Sequence, residues 1–292
     1  MAILVTGATG TVGAPLLRHL SDQGVEVRAL TRDPTKASFP AGVVPVAGDL
    51  LDVASMRAAL TGVRTLFLLN AVVPQELTQS MLTLNLAHEA GIQRVVYLSV
   101  FNSDRCTNVP HFAAKYTIER MIEQYDMAAT ILRPNCFMQN DAAYFKDALM
   151  GPGLYPFPIG DRGVSMVDAG DIAEIAAGAL LQRERSDDLL PREVINIVGP
   201  EALTGASVAG IWSTLLNTPV HYTGGDTAAF EQRLAHHGPG WMAMDMRLML
   251  DRFQSDGMLG TAHDVEQMTR LLGRPPRSYA DFAAATLAHW QR

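Results

Sequence analysis

Short apolar segments alternate along the chain with segments in which apolar residues recur every three or four positions. The first pattern is typical of buried β-strands and the second of amphipathic helices. The strand-like segments are ILV, VEVRALTR, VVPVAGD, RTLFLLN, RVVYLSV and AATILRP, and the helix-like ones between them include DVASMRAAL, ELTQSMLTLNLAHEAG and KYTIERMIEQYD. This alternation predicts parallel βαβ units, and hence an α/β fold with a doubly wound parallel Rossmann sheet and a ligand crevice at the carboxyl ends of its strands.

The first predicted strand runs directly into a glycine-rich turn, VTGATGTVG, which a helical pattern follows until Gly24. A helix amino terminus presents unpaired N–H groups, and glycines allow a pyrophosphate to approach the backbone. Strand, turn, helix and second strand within about thirty residues therefore predict a dinucleotide site, the alternative being a turn with a purely structural role. The predicted contacts are Gly7, Thr9, Gly10, Thr11, Val12 and Gly13.

The alternation weakens after about residue 134, where turn-forming residues fill GPGLYPFPIGDRG. A helix begun by Asp168 or Asp171 follows, and the strand REVINIV is expected to return to the main sheet. We predict a dinucleotide-binding core over residues 1–134 and a smaller, discontinuous substrate-covering region over residues 135–292, with parts near residues 164–200 returning to the main sheet. Further helical segments in this region are LTGASVAGIWSTLLN, WMAMDMRLML and SYADFAAATLAHW.

The composition argues against nucleic-acid-binding, membrane and metal-binding proteins. The 292 residues carry a net charge of -7, which gives no general attraction to nucleic acid or to an anionic membrane. Cys106 and Cys136 have neither metal-like nor redox-like spacing, and adjacent His236 and His237 point apart, so we predict no metal site. With no apparent leader and no apolar stretch of membrane-spanning length, the sequence predicts a cytoplasmic protein, a monomer or homodimer acting on a small molecule.

The residues after the second and third strands bear on the identity of the dinucleotide. Arg32 stands where an NAD(H) site commonly has an acidic residue, and with Lys36 it suits a 2′-phosphate, so NADP(H) is favoured over NAD(H) despite the adjacent Asp33. A solvated surface arginine is the alternative. Asp49, in GDLLD, is a candidate for the adenine amino group with Leu50 as a further cofactor contact, although an Asp there also suits a turn or helix cap.

Several segments together resemble the NmrA-like branch of the atypical short-chain dehydrogenases/reductases. They are VTGATGTVG, TRDPTKA, GDLLD, VVYLSV, HFAAK, TILRPNCFMQN, VDAGDIAEIA and LGRPPRSYADF, in the family's order and approximate spacing over nearly the whole chain. The resemblance implies a Rossmann fold that binds NADP(H). It also implies either a reductase of quinones or triphenylmethane dyes, or a cofactor-sensing regulator.

The resemblance also assigns roles to individual residues. Relatives with a Tyr-x-x-x-Lys pair use the phenol as acid or base and the lysine to bind the nicotinamide ribose. Here the pattern is His111-Phe-Ala-Ala-Lys115, so Lys115 keeps the ribose role, the alternative being a plain surface lysine of a helix. His111 is a candidate proton donor or a helix-start hydrogen bonder. Ser99 matches the superfamily's active-site serine or is a turn former, and Asn70 is expected beside the nicotinamide ribose or ring.

Substrate contacts are predicted in two segments. Phe137, Met138 and Asn140 match the family's crevice segment. The methionine-rich stretch that contains Trp241 and Met244 is either an adaptable lid over a flat aromatic substrate or ordinary helical core. No Gly-x-Ser-x-Gly nucleophile elbow is present, which disfavours a hydrolase.

The sequence therefore leads to an NADPH-dependent reductase that passes hydride to a quinone-like or other conjugated aromatic acceptor. Such an acceptor forms a delocalised anion, with a basicity of about pKa 10, and so needs a dedicated phenolic acid less than an aldehyde does. Two alternatives remain: a non-catalytic NADP(H) sensor, which the missing tyrosine favours, and a biosynthetic enzyme for a polycyclic substrate.

Overall fold

A computed structural model describes residues 2–291 and contains a seven-stranded sheet in the order β3-β2-β1-β4-β5-β6-β8. The pairs β1–β2, β2–β3, β1–β4, β4–β5 and β5–β6 are parallel. The chain changes direction along the sheet at β1, which lies between β2 and β4, and this is where doubly wound folds bind ligands. The strands are β1 Ala2–Val5, β2 Glu26–Thr31, β3 Val43–Ala47, β4 Val63–Leu68, β5 Arg94–Leu98, β6 Ala128–Pro134, β7 Leu154–Tyr155, β8 Glu193–Ile197 and β9 His221–Tyr222.

Helices follow most of these strands, as βαβ units require. They are α1 Gly13–Leu20, α2 Val53–Leu60, α3 Glu76–Glu89, α4 Pro110–Gln124, α5 Gln139–Tyr144, α6 Lys146–Met150, α7 Ala169–Arg185, α8 Gly205–Leu216, α9 Thr227–His237, α10 Gly240–Asp256, α11 Ala262–Leu272 and α12 Tyr279–Trp290. Within residues 2–291, none of them combines the length and the apolar character needed to cross a bilayer.

The chain has two compact units. The first comprises Met1–Asp104, His111–Arg133 and Gly170–Ile195, and its core includes the buried side chains of Leu4, Leu66, Val95 and Ile131 from four neighbouring strands. All four residues of β1 are buried, as expected for a central parallel strand covered on both faces. The second unit comprises Arg105–Pro110, Pro134–Ala169 and Asn196–Arg292, and includes the small parallel sheet of β7 and β9.

The REVINIV segment contains β8, which lies next to β6 at the edge of the seven-stranded sheet. The first helix is shorter than predicted: α1 ends at Leu20, and Gly24, with φ of +69°, belongs to the turn before β2. Four helices, α5, α6, α9 and α11, were not predicted. A signal for α11 was present, because Thr261 and Asp264 form a capping box at its start.

Candidate functional site

The glycine-rich turn between β1 and α1 depends on glycine at Gly7 and Gly13 for its shape. Gly7 has φ of +61°, and a Cβ there would lie 2.8 Å from Cγ of Leu69. A Cβ on Gly13 would lie 2.1 Å from the carbonyl oxygen of Gly7. Gly10 differs, because a Cβ there would meet only that same oxygen, at 3.3 Å. Gly7 and Gly13 therefore allow the turn to close, whereas a Cβ at Gly10 would make one tight contact, with a backbone oxygen.

The turn also leaves polar backbone accessible at the start of α1. Gly7, Thr9, Gly10 and Thr11 are exposed, while Val12 and Gly13 are buried. Within the described chain no side chain caps this helix, and its first turn contains no acidic residue. The N–H groups and the positive end of the helix dipole are thus offered to an external anion, which fits a pyrophosphate.

The carboxyl ends of β1 and β4 are joined beside this turn. The Thr6 hydroxyl donates to the Leu69 carbonyl at 2.9 Å and accepts from the Leu69 N–H at 2.8 Å. Asn70 follows, almost fully buried, and its Nδ2 donates to Oε1 of Gln79 at 3.3 Å. Its buried Oδ1 accepts no hydrogen bond from residues 2–291. A buried acceptor at this strand end fits a donor such as a ribose hydroxyl or a carboxamide N–H.

After β2, the two charged neighbours Arg32 and Asp33 differ in their surroundings. The Asp33 carboxylate accepts from the Thr35 N–H at 3.0 Å and the Thr35 hydroxyl at 2.6 Å, and it pairs with Lys36 at 3.0 Å. The hydrogen bond from the Thr35 side chain, followed by that from Lys36, lowers the pKa of Asp33. Arg32 is exposed and has no partner within residues 2–291. Asp33 is therefore engaged by its own loop, and the Arg32 guanidinium is accessible to a ligand.

The segment after β3 forms a local turn. Oδ1 of Asp49 accepts from the Leu51 N–H at 2.9 Å, while the Asp49 N–H donates to the Ser55 hydroxyl at 3.1 Å. Leu50 is half-buried and packs against the core of the first unit. Asp49 thus has the turn-forming role considered for it, and adenine contacts by Asp49 and Leu50 stay predictions.

Lys115 is not the solvated helix lysine that the sequence left open as an alternative. It is 7% exposed, and its Nζ donates to Oε1 of Glu76 at 2.7 Å. Glu76 is 4% exposed and is the first residue of α3, where the helix dipole favours a carboxylate. Sequence reasoning missed Glu76, because an acidic residue in the first turn of a helix is ordinarily solvated. The pair joins α3 to α4 inside the first unit.

Ser99 belongs to a second buried polar network. Its hydroxyl donates to Oε1 of Glu119 at 2.5 Å, and Ser103 donates to the same oxygen at 3.0 Å. Arg133 binds the completely buried Glu119 through both carboxylate oxygens, at 3.0 and 2.5 Å. The Ser99 hydroxyl is thus engaged as a donor to the Glu119 carboxylate, which is a structural role. A catalytic role for Ser99 stays a prediction.

His111 lies in the first turn of α4, one helical turn before Lys115. Its ring is largely buried and meets the Phe112 ring edge-on, with ring centroids 4.7 Å apart. The structure therefore puts an imidazole on the same helix as the predicted ribose-binding lysine. Whether it acts as proton donor stays a prediction.

The predicted substrate residues all lie in the second unit. Phe137 and Asn140 are half-buried, and Asn140 donates to the Cys136 sulfur at 3.8 Å. Met138 has no exposed surface and supports the segment from within, so its predicted substrate contact requires the segment to move. Trp241 and Met244 lie on α10 and are 38% and 39% exposed, which argues against the helical-core alternative for these two side chains.

Next to the Phe137 segment is a buried carboxyl that sequence reasoning also missed. Oδ2 of Asp141 accepts from the Tyr279 hydroxyl at 2.5 Å and from the Tyr155 hydroxyl at 2.9 Å. The Tyr279 hydroxyl in turn accepts from Trp212 at 3.0 Å. Burial raises the pKa of Asp141 to about 7, although both phenols act to lower it. This cluster fixes the start of α5 in the second unit.

Known proteins resemble this chain over nearly its whole length. The model of the NmrA-like family matches residues 1–272. The NAD(P)H azoreductase of Xenophilus azovorans is 31% identical over 291 residues, which are 98% of this chain and 98% of the relative.

Solved structures agree with the fold. The NADPH-dependent quinone oxidoreductase QOR2 of Escherichia coli, solved with NADPH, has a TM-score of 0.84 at 25% identity and matches 99% of this chain and 100% of its own. The triphenylmethane reductase of Citrobacter sp., solved with NADP(H), has a TM-score of 0.83 over 97% of this chain and 100% of its own, and at 20% identity it supports the fold alone.

Proposed function

The chain belongs to the NmrA-like family, and we propose that within it this protein is an NADPH-dependent reductase that transfers hydride to a quinone-like or other conjugated aromatic acceptor. An azoreductase relative matching nearly the whole chain and the NADPH-bound quinone oxidoreductase support an NAD(P)H-dependent oxidoreductase that uses NADP(H). Hydride transfer to an extended π-system is the chemistry that these activities share.

The choice of NADP(H) depends on the contrast between two neighbouring residues after β2: Asp33 is bound by its own loop, whereas the Arg32 guanidinium is accessible to a ligand. The accessible N–H groups at the start of α1 suit the pyrophosphate that NADP(H) and NAD(H) share. The turn would hold the pyrophosphate, and Arg32, aided by Lys36, would hold the 2′-phosphate. Lys115 and Asn70 would hold the nicotinamide ribose. The bound nicotinamide supplies the hydride, and the protein orients it and excludes water.

Replacing Arg32 by Ala is expected to weaken NADPH binding by roughly 1.5 to 3 kcal/mol and to leave NADH binding nearly unchanged, because only NADPH presents the 2′-phosphate. Calorimetric titration of both cofactors measures this directly. Lys36→Ala is the matched control and should have a smaller effect, since Lys36 already pairs with Asp33. Equal losses for NADPH and NADH in Arg32→Ala would show that Arg32 does not recognise the phosphate.

Replacing His111 by Ala is expected to slow hydride transfer by less than the roughly 100-fold typical of a dominant general acid. The reason is that a quinone-type acceptor forms a stabilised anion, which solvent can protonate. His111→Tyr, which restores the superfamily pattern, should bring little gain. Single-turnover NADPH oxidation across about pH 5 to 9, on either side of the reference histidine pKa of about 6.5, measures both variants. A loss of 100-fold or more in the alanine variant, with a wild-type profile following one histidine-like titration, would make His111 the principal acid.

Anaerobic NADPH oxidation with quinones, azo dyes, triphenylmethane dyes and simple aldehydes tests the activity. We expect turnover with at least one conjugated acceptor and little with aldehydes, because the position four residues before Lys115 holds His111 and not a tyrosine. The second candidate, a non-catalytic NADP(H) sensor, is favoured by that same substitution and by the engagement of Ser99 with Glu119. Tight NADPH binding without turnover on any acceptor would support the sensor.

A further inference from the structure

We propose that the first turn of α3 positions the nicotinamide half of the cofactor site, with Glu76 holding the Lys115 amine and Gln79 holding the Asn70 amide. Neither Glu76 nor Gln79 belongs to a motif that the sequence singled out, and both act through another residue. The inference rests on the proposed NADPH-binding function. It concerns residues of the first compact unit alone.

The Glu76–Lys115 pair is unusual for its burial. Both side chains are below 10% exposure, and they meet at 2.7 Å. Removing two charges from water costs several kcal/mol per ion, and their attraction offsets this only when the geometry is good, so a buried pair is weak support for stability. A role in fixing the ammonium group accounts better for its presence. Glu76 is suited to this, because α3 begins with it and the helix dipole stabilises its charge.

Glu76 also leaves Lys115 with donors to offer. An ammonium group has three N–H donors, and within residues 2–291 Lys115 makes its one hydrogen bond to Glu76. The hydrogen bond to the buried carboxylate limits the rotation of the amine. Two donors therefore remain, held in a restricted set of directions, as a lysine that binds vicinal ribose hydroxyls requires.

Gln79 fixes the orientation of the Asn70 amide through a hydrogen bond between two neutral side chains. Because Oε1 of Gln79 accepts from Nδ2 of Asn70, the amide is oriented with Oδ1 as its unused acceptor. Glu76 and Gln79 are three residues apart and so lie on the same face of α3. The buried residues Ser80, Thr83 and Leu84 anchor the following turns of α3. One rigid turn thus orients an ammonium donor and an amide acceptor.

Binding of two different ligands distinguishes a role of Glu76 and Gln79 in positioning the nicotinamide half from a merely structural role. NADPH contains the nicotinamide half, whereas adenosine 2′,5′-bisphosphate reports only on the adenosine half and the Arg32 region. We expect Glu76→Gln to weaken NADPH binding roughly tenfold or more, and Gln79→Ala about fivefold, on the scale of hydrogen bonds to charged and to neutral groups. Neither variant should change the affinity for adenosine 2′,5′-bisphosphate. Thr78→Ala, an exposed position on the same helix, is the matched control and should bind both ligands normally.

A double-mutant cycle with Lys115→Ala completes the test. If Glu76 acts through Lys115, adding Glu76→Gln to Lys115→Ala should cause no further loss of NADPH affinity, since the group that it positions is already absent. The double variant also removes the Lys115 ammonium, which Glu76→Gln alone leaves buried without its carboxylate partner and which destabilises that single variant. Normal NADPH affinity in Glu76→Gln, equal losses for both ligands, or additive losses in the cycle would each overturn the inference. A wild-type chain that fails to bind NADPH would instead overturn the proposed function.

Discussion

Gly10→Val should abolish NADPH binding while the protein remains folded. A Cβ at Gly10 meets only the Gly7 carbonyl oxygen, at 3.3 Å, and the backbone there does not have a positive φ. We expect the turn to accommodate a side chain through a shift of a few tenths of an ångström at the Gly7 carbonyl. Valine would, however, fill the space through which a pyrophosphate must approach the N–H groups of α1. NADPH titration together with circular dichroism measures both parts of the prediction. Retained NADPH binding by a folded variant would remove this turn from the cofactor site.

Gly13→Ala is the contrasting control, because here the obstacle is the chain itself. Its Cβ would lie 2.1 Å from the Gly7 carbonyl oxygen and 2.8 Å from the carbonyl carbon, both backbone atoms that cannot swing aside. We expect a loss of about 3 kcal/mol or more in the free energy of unfolding, at the upper end of the cost of overpacking. A Gly13→Ala protein as stable as the wild type would mean that the turn is more open than described.

The second large effect concerns Asp141 and pH. Its pKa rises from 3.8 to about 7 on folding, chiefly because the carboxyl is buried. Between these values the folded protein keeps a proton that the unfolded chain has released, so the stability from Asp141 is fully present below about pH 4 and is lost as the pH rises through about 7. We expect this single group to reduce the free energy of unfolding by on the order of 2 to 3 kcal/mol between about pH 5 and pH 7.5.

Urea unfolding of the wild type and of Asp141→Asn across this pH range isolates that contribution. The amide oxygen of Asn can still accept from Tyr155 and Tyr279, but the side chain does not titrate, so the variant should show a shallower decline of stability with pH. Asp147→Asn, at an exposed position in the same unit, should retain the wild-type decline. Identical pH dependence in the wild type and Asp141→Asn would show that Asp141 is already ionised well below pH 7.

The sheet was predictable because its strands are short apolar runs bounded by turn formers, a local pattern that buried parallel strands impose. Helix α9 was missed although Asp226 caps it, since its eleven residues bury only Phe230 fully and so show little apolar periodicity. Gly24 misled the prediction of where α1 ends, because a glycine with positive φ serves a turn as well as a helix end.

The residues of the candidate site also fall into those that the sequence predicts and those that it misses. The glycine-rich turn, Arg32 and Lys115 follow from local sequence and from the family resemblance. The buried partners that sequence reasoning missed are distant in sequence from the residues that they bind: Glu76 is 39 residues from Lys115, and Tyr279 is 138 residues from Asp141. Such pairings depend on the packing of separate helices, which no local pattern encodes. Polar residues at helix starts, such as Glu76, accordingly resemble solvated caps until the fold is known.

Deuterium at C4 of the nicotinamide tests whether NADPH passes a hydride directly to the acceptor. Single-turnover oxidation of NADPH deuterated at one or the other C4 position would be followed with the best conjugated acceptor, under anaerobic conditions. We expect a primary isotope effect for one of the two positions only, because the protein holds one face of the ring toward the acceptor. NADPH that binds saturably but is oxidised by no acceptor, or is oxidised without an isotope effect at either position, would contradict direct hydride transfer.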